Sequence, residues 1–224
     1  ERRIIRFDLP GFGLTGPDPR NDYSIEAYVR FVKAMLDAMG VQQCILVGNS
    51  LGGSIAWETA AAFPQRVQRL VLVDSAGYPM QSQSVPLAFK IARTPGLNAL
   101  MERILPLGVV QSSVRNVYGD PSKVTAELVD RYYDLALREG NRKALVHRFK
   151  QGLYGDEALI KTLKLPTLIL WGAKDHLIPL ENARRFAADI QGSTLVVFDD
   201  LGHVPHEEDA TATVNAMKKF LSKP

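Results

Sequence analysis

Apolar residues recur along this chain with two different periods, and the switches between them mark its elements. Ile25, Tyr28, Val29, Val32, Leu36 and Met39 share one face at helical spacing, which predicts a helix over about 24–39 with Gly40 as its stop. Gln43-Cys44-Ile45-Leu46-Val47 then reads as a strand buried on both faces. Ile55, Ala56, Thr59, Ala60 and Phe63 return to helical spacing, and Pro64 ends that helix. Leu70–Val73 is again a strand, and a strand at 3–7 would complete a strand–helix alternation over residues 1–77.

Between about 78 and 163 strand patterns vanish. Short helical patterns broken by Gly and Pro replace them, such as Leu97, Leu100, Met101, Ile104 and Leu105, and then Leu128, Val129, Tyr132, Tyr133, Leu135 and Ala136. Over 164–224 the alternation resumes: a strand at 166–171, a helix at about 180–189, a strand at 194–198 and a helix to about 222. Such alternation predicts an α/β fold, a mostly parallel sheet with helices on both faces. The expected organisation is a core from 1–77 and 164–224, with a helical insertion at 78–163.

The candidate chemistry begins where the strand at 43–47 turns into the next helix. Gly48-Asn49-Ser50-Leu51-Gly52 fits G-x-S-x-G, a sharp strand-to-helix turn that exposes a serine hydroxyl at the end of a sheet. Ser50 is the candidate nucleophile, and Gly48 and Gly52 are where the crowded turn is expected to need missing side chains. A serine needs a histidine base, and the base needs an orienting carboxylate. Of the four histidines, His203 follows the strand at 194–198 on a short loop, where it can reach the carboxyl edge of the sheet. His206 is expected to begin the next helix and to cap it or face solvent. His147 sits in a helical pattern, and His176 is a neighbour of the candidate acid. Asp175 stands just past the strand at 166–171 in Trp171-Gly172-Ala173-Lys174-Asp175 and is preferred as that acid. Its competitor Asp74 directly follows the strand at 70–73 and is expected to fix its own loop by backbone hydrogen bonds.

Composition narrows the class without changing this reading. The chain has 46% hydrophobic and 23% charged residues, which are globular values. Lys plus Arg exceed Asp plus Glu by 27 − 24 = 3, and the charges are interspersed, so nucleic-acid binding is not suggested. The single cysteine, Cys44, rules out an intrachain disulfide and is expected to be a small buried apolar residue. No cluster with metal-ligand spacing is evident, and no apolar stretch approaches the roughly 18–20 residues that span a bilayer. The expectation is a cytoplasmic enzyme with no metal, no organic cofactor and no membrane or nucleic-acid partner.

Four segments together resemble the α/β-hydrolase superfamily, in its cap-bearing branch of esterases and C–C bond hydrolases. They are Asp8-Leu9-Pro10-Gly11-Phe12-Gly13, Gly48–Gly53, Leu170–Asp175 with Ile178-Pro179, and Gly202–Glu208, in family order across nearly the whole chain. The resemblance implies a Ser50/Asp175/His203 triad, the Leu51 backbone N–H as one half of the oxyanion hole, and a helical cap at 78–163 over the serine. Serine at the nucleophile position argues against the aspartate-using dehalogenases and epoxide hydrolases. In the family a strand and loop precede the Asp-x-x-Gly-x-Gly segment and supply the second oxyanion N–H. Here Glu1–Phe7 resembles the strand after that loop. The chain is therefore expected to be a fragment of a longer one, with a gap in the sheet beside 43–47, and to be poorly folded or inactive alone.

The expected activity is hydrolysis of carboxylic esters with small to medium, mostly apolar acyl groups through an acyl-enzyme on Ser50. A C–C hydrolase of vinylogous diketo acids is the alternative. Its substrate carries a carboxylate, for which Arg93, Arg103, Arg115 and Arg148 are candidate partners. A non-catalytic ligand-binding protein of the same fold is a third reading, disfavoured by the intact triad.

Overall fold

The computed structural model describes residues 2–79, 82–152 and 155–222. Helix α1 (Ile25–Ala38) starts at Ser24, whose hydroxyl accepts the Ala27 N–H at 3.2 Å, and it buries Ile25, Tyr28, Val29, Val32 and Leu36. Strand β1 (Cys44–Asn49), helix α2 (Leu51–Ala62) and strand β2 (Val67–Val73) follow. The chain then leaves the sheet for five helices, α3 (Leu87–Arg93), α4 (Leu97–Met101), α5 (Leu107–Val117), α6 (Ala126–Leu137) and α7 (Asn141–Lys150). It re-enters with β3 (Thr167–Gly172), α8 (Glu181–Asp189) and β4 (Thr194–Phe198), and ends in α9 (Pro205–Glu208) and α10 (Ala210–Leu221).

Among the described residues the strands form one sheet in the order β1-β2-β3-β4, every pair parallel. Alternate residues of the two central strands point to opposite faces. Leu70, Leu72, Ile169 and Trp171 pack with Trp57 of α2 and Phe186 of α8 on one face, and Val71, Val73, Leu168 and Leu170 pack with Phe220 of α10 on the other. Each such fully buried side chain contributes about 1.5–3 kcal/mol of transfer free energy. The parallel sheet with helices on both faces is the architecture read from the sequence.

Three expectations fail. Residues 2–9 form no strand, and Ile4 is 82% exposed, because a strand is a hydrogen-bonded pairing and no described segment runs alongside this one. For the same reason β1 is not buried on both faces: it pairs only with β2 among the described residues, and Val47 is 53% exposed. The C-terminal helix is also divided, since Asp209 interrupts it and caps α10 by accepting the Ala212 N–H at 2.8 Å. No described helix is long and apolar enough to cross a membrane.

The helices between β2 and β3 build their own core from Ala92, Met101, Leu105, Val110, Val114, Tyr118, Val124, Val129 and Val146. Val204, from the segment between β4 and α9, is buried in that core as well. The helical block is thereby packed onto the loop that carries His203.

Candidate active site

Each strand of the sheet ends in one chemically distinctive residue or loop, all at the carboxyl edge. After β1, Ser50 takes φ +54° and ψ −119°, a conformation costly for a residue with a Cβ. The turn is pinned from both sides. The Ser50 N–H donates to the Val73 carbonyl at 3.0 Å, and its own carbonyl accepts from Ser54 N–H at 3.1 Å and Ala76 N–H at 3.0 Å. A Cβ on Gly48 would stand 2.1 Å from the Gly52 carbonyl oxygen, so no side chain fits there. The second crowded position is Gly53, where a Cβ would meet Ser75 Oγ at 2.4 Å, whereas Gly52 opens onto free space. The steric demand expected at Gly52 therefore falls one residue later, where α2 crosses the end of β2. Leu51 is the first residue of α2, and its N–H is among those a helix leaves without an internal acceptor.

After β3, Asp175 is buried in a tight turn. Its Oδ1 accepts the backbone N–H groups of Leu177 at 2.8 Å and Ile178 at 2.9 Å, and its Oδ2 meets His203 Nδ1 at 2.7 Å. A carboxylate that accepts on both oxygens requires Nδ1 to carry a proton, which leaves Nε2 as the nitrogen that can accept one. His203 is 4% exposed and is fixed through its backbone. Its N–H donates to the Val117 carbonyl at 2.8 Å at the end of α5, and its carbonyl accepts from Asn49 Nδ2 at 2.9 Å. The structure thus joins Asp175 to His203 by a hydrogen bond, and joins the His203 loop to the turn bearing Ser50 through Asn49.

The other candidates lie elsewhere. His176 is exposed, with Nδ1 3.1 Å from Gln83 Oε1, and the His147 ring sits 6.5 Å from that of Tyr23. His206 neither caps a helix nor faces solvent freely. It is half-buried with Nδ1 unpartnered among the described residues, and burial pulls its pKa down. Asp74 is fully buried after β2, and its Oδ1 accepts the Gly172 N–H at 2.9 Å, so it holds the end of the neighbouring strand rather than its own loop.

The family model for the alpha/beta hydrolase fold matches residues 1–210. The chain belongs to the alpha/beta hydrolase family. It is 32% identical over 232 residues to a 2-hydroxymuconate semialdehyde hydrolase of Pseudomonas sp. (strain CF600), spanning 99% of this chain and 77% of that one. It is 30% identical over 228 residues to a 2-hydroxy-6-oxo-2,4-heptadienoate hydrolase of a Pseudomonas putida strain, spanning 99% and 79%. Among solved structures it is similar to a meta-cleavage product hydrolase from Pseudomonas fluorescens IP01, with a TM-score of 0.80 and 27% identity over 96% of this chain and 77% of that one.

Within this alpha/beta hydrolase, sequence reasoning passed over two residues that organise the site. Asn49 stands in the sequence as part of the Gly-Asn-Ser elbow, with nothing there to show the hydrogen bonds its amide makes. Glu208 accepts the Gly202 N–H at 2.7 Å and the Gly119 N–H at 3.0 Å, tying the start of the His203 loop to the chain beyond α5. Neither role has a local signal, since both depend on partners brought in by the fold. Of the arginines considered for a substrate carboxylate, Arg93, Arg103 and Arg115 are exposed. Arg148 is 3% exposed and donates to the Gly152 carbonyl, and burial pulls its pKa down.

Proposed function

We propose that this chain is a serine hydrolase of the C–C bond-cleaving type, acting on 2-hydroxy-6-oxo-dienoates such as those named for its relatives. The His203–Asp175 hydrogen bond beside the strained Ser50 turn carries the serine-hydrolase part. The 30–32% identical hydrolases of such dienoates, matched over 99% of this chain, support the substrate class over the simple esters favoured by the sequence.

In this reading His203 Nε2 removes the Ser50 proton as Oγ attacks the ketone carbon, and Asp175 steadies the imidazolium. The Leu51 N–H meets the developing oxyanion. Cleaving a C–C bond by acyl transfer needs a carbon leaving group that can hold a pair of electrons. A proton first moves from the 2-hydroxyl to the carbon next to the ketone, giving a 2,6-diketone. When the tetrahedral adduct collapses, the electron pair of the breaking bond is delocalised through the double bond into the 2-keto group, giving a dienolate that is protonated on oxygen. Water activated by His203 then releases the carboxylic acid from Ser50. The helices of 78–163 act as the cap above the site.

The test is a paired assay on the purified chain. Loss of the dienoate absorbance of 2-hydroxy-6-oxohepta-2,4-dienoate is compared with p-nitrophenyl butyrate hydrolysis. The expected kcat/KM favours the dienoate at least ~10-fold, about 1.4 kcal/mol in the transition state. Ester turnover without dienoate cleavage would return the assignment to a carboxylesterase. Ser50→Ala should lose both activities and fluorophosphonate labelling, and wild-type rates in that variant would remove Ser50 as nucleophile.

A further inference from the structure

Two carboxyl groups stand side by side at the ends of β2 and β3, and a Ser–His–Asp triad uses only one of them. Asp175 is committed to three donors, the N–H groups of Leu177 and Ile178 and Nδ1 of His203. Asp74, 0% exposed, receives one, the Gly172 N–H on Oδ1. Its Oδ2 meets no donor among the described residues, and the carboxyl groups of Asp74 and Asp175 lie within hydrogen-bonding reach of one another. A carboxylate oxygen of Asp74, one of Asp175 and a ring nitrogen of His203 all lie within 4.8 Å of one another. The Asp74 backbone is held at φ +42°, with its N–H donating to the Leu170 carbonyl at 3.0 Å, so the side chain is fixed in this direction.

Buried carboxyl groups this close do not both ionise, because each charge loses its hydration and repels the other. The proton belongs on the group with less support for an anion. Three donors stabilise a charge on Asp175 and one stabilises a charge on Asp74. Protonation also turns the orphaned Asp74 Oδ2 from an unmet acceptor into a donor aimed at a carboxylate, which removes a buried polar group without a partner.

We propose that Asp74 is a neutral carboxylic acid whose O–H donates to the Asp175 carboxylate, a positioning residue that moderates the charge Asp175 presents to His203. Its catalytic consequence rests on the serine-hydrolase reading; the hydrogen bond itself does not. The charged and titratable groups around Asp74 are Asp175, His203 and Glu208. Burial pushes the Asp74 carboxyl well above the usual carboxylate range, the Asp175 charge pushes it further, and the Gly172 N–H opposes them.

The test uses readouts of the resting protein. At neutral pH the difference spectrum of wild type minus Asp74→Asn should contain the C=O band of a buried protonated carboxyl; Glu58, pushed up to about 7, contributes equally to both proteins and cancels. Asparagine can keep both contacts, accepting from Gly172 and donating to Asp175, without changing the net charge. The NMR titration midpoint of the His203 imidazole should therefore stay within about 0.3 unit of wild type in Asp74→Asn. Asp74→Ala removes the donor, so the midpoint should rise and the acid limb of kcat/KM should move with it. If Asp74→Asn lacks no infrared band, or its imidazole midpoint falls by about one unit or more, Asp74 is ionised and the proposal fails. A folded Asp74→Ala with an unmoved midpoint makes Asp74 merely structural and also overturns it. If Asp74→Ala does not fold, Asp74→Asn decides alone. Ser50→Ala, which has no rate to measure, keeps the infrared band and the imidazole midpoint, so failure of the serine-hydrolase reading would be seen separately.

Discussion

Asn49 and His203 are 154 residues apart in the chain, and the Asn49 side-chain amide donates to the His203 carbonyl at 2.9 Å. The same amide nitrogen donates to the Val73 carbonyl at 3.1 Å. One NH2 group, directly before Ser50, therefore ties together the ends of β1 and β2 and the loop after β4.

Asn49→Ala should uncouple the His203 loop from the serine turn. The His203 carbonyl loses its donor, at a cost of about 1–3 kcal/mol for a buried group left unpaired, while the Val73 carbonyl keeps the Ser50 N–H. A displacement of about 1 Å at a reacting group costs on the order of 10²-fold in rate. The expected outcome is a 10–100-fold lower kcat, to order of magnitude, with KM little changed and the protein still folded by circular dichroism. An unchanged kcat in a folded variant would remove Asn49 from this role.

Ser50→Gly should produce an inactive protein that is more stable than Ser50→Ala. Alanine keeps the strained φ of +54°, which only a residue without a Cβ adopts freely. Relief of about 1–3 kcal/mol of strain, less roughly 0.5–1 kcal/mol for the entropy of glycine, leaves about 1 kcal/mol. At this chain length that is a Tm higher by about 2–4 °C. A lower Tm for the glycine variant would mean that the turn stores no strain.

Glu58 on α2 should make stability depend on pH. Burial pushes its carboxyl from 4.5 up to about 7, with repulsion from Glu26 and Asp156 adding to it and the Asp156 N–H opposing. The folded protein keeps Glu58 protonated where the unfolded chain has released the proton. Its contribution is thus fully present below about 4.5, is lost as pH rises through about 7, and stays lost above that. Glu58→Gln cannot ionise. Its Tm should match wild type near pH 4.5 and exceed it by roughly 4 °C at pH 8. A Tm difference that is the same at both values would refute the assignment.

Ser50, Asp175 and His203 could be picked out because each follows a strand whose apolar run is complete within a few residues. The central strands were equally plain, since Leu70–Val73 and Thr167–Trp171 are buried on both sides and carry continuous apolar runs. What failed depended on neighbours that local sequence does not specify. Residues 3–7 have strand composition but no described partner, and β1 has one neighbour instead of two. The crowding at Gly53 comes from Ser75, and the donors that Glu208 satisfies include one 89 residues away. Asp74 looked like a rival to Asp175, but its contact with Gly172 requires β2 and β3 to lie side by side across the whole helical excursion.

That excursion has a consequence for how such a protein can change over time. The chain departs after Val73 and returns at Thr167, yet the two strands are held by their own ladder, Leu70–Val73 against Thr167–Leu170. Closing a longer excursion costs only about 0.6 kcal/mol for each doubling of its length. Insertions, deletions and rearrangements among α3, α4, α6 and α7 can therefore accumulate without shifting Ser50, Asp74 or Asp175 relative to one another, while the end of α5 stays tied to His203 through the Val117 carbonyl. Selection on most of the helices can thereby act apart from selection on the edge of the sheet.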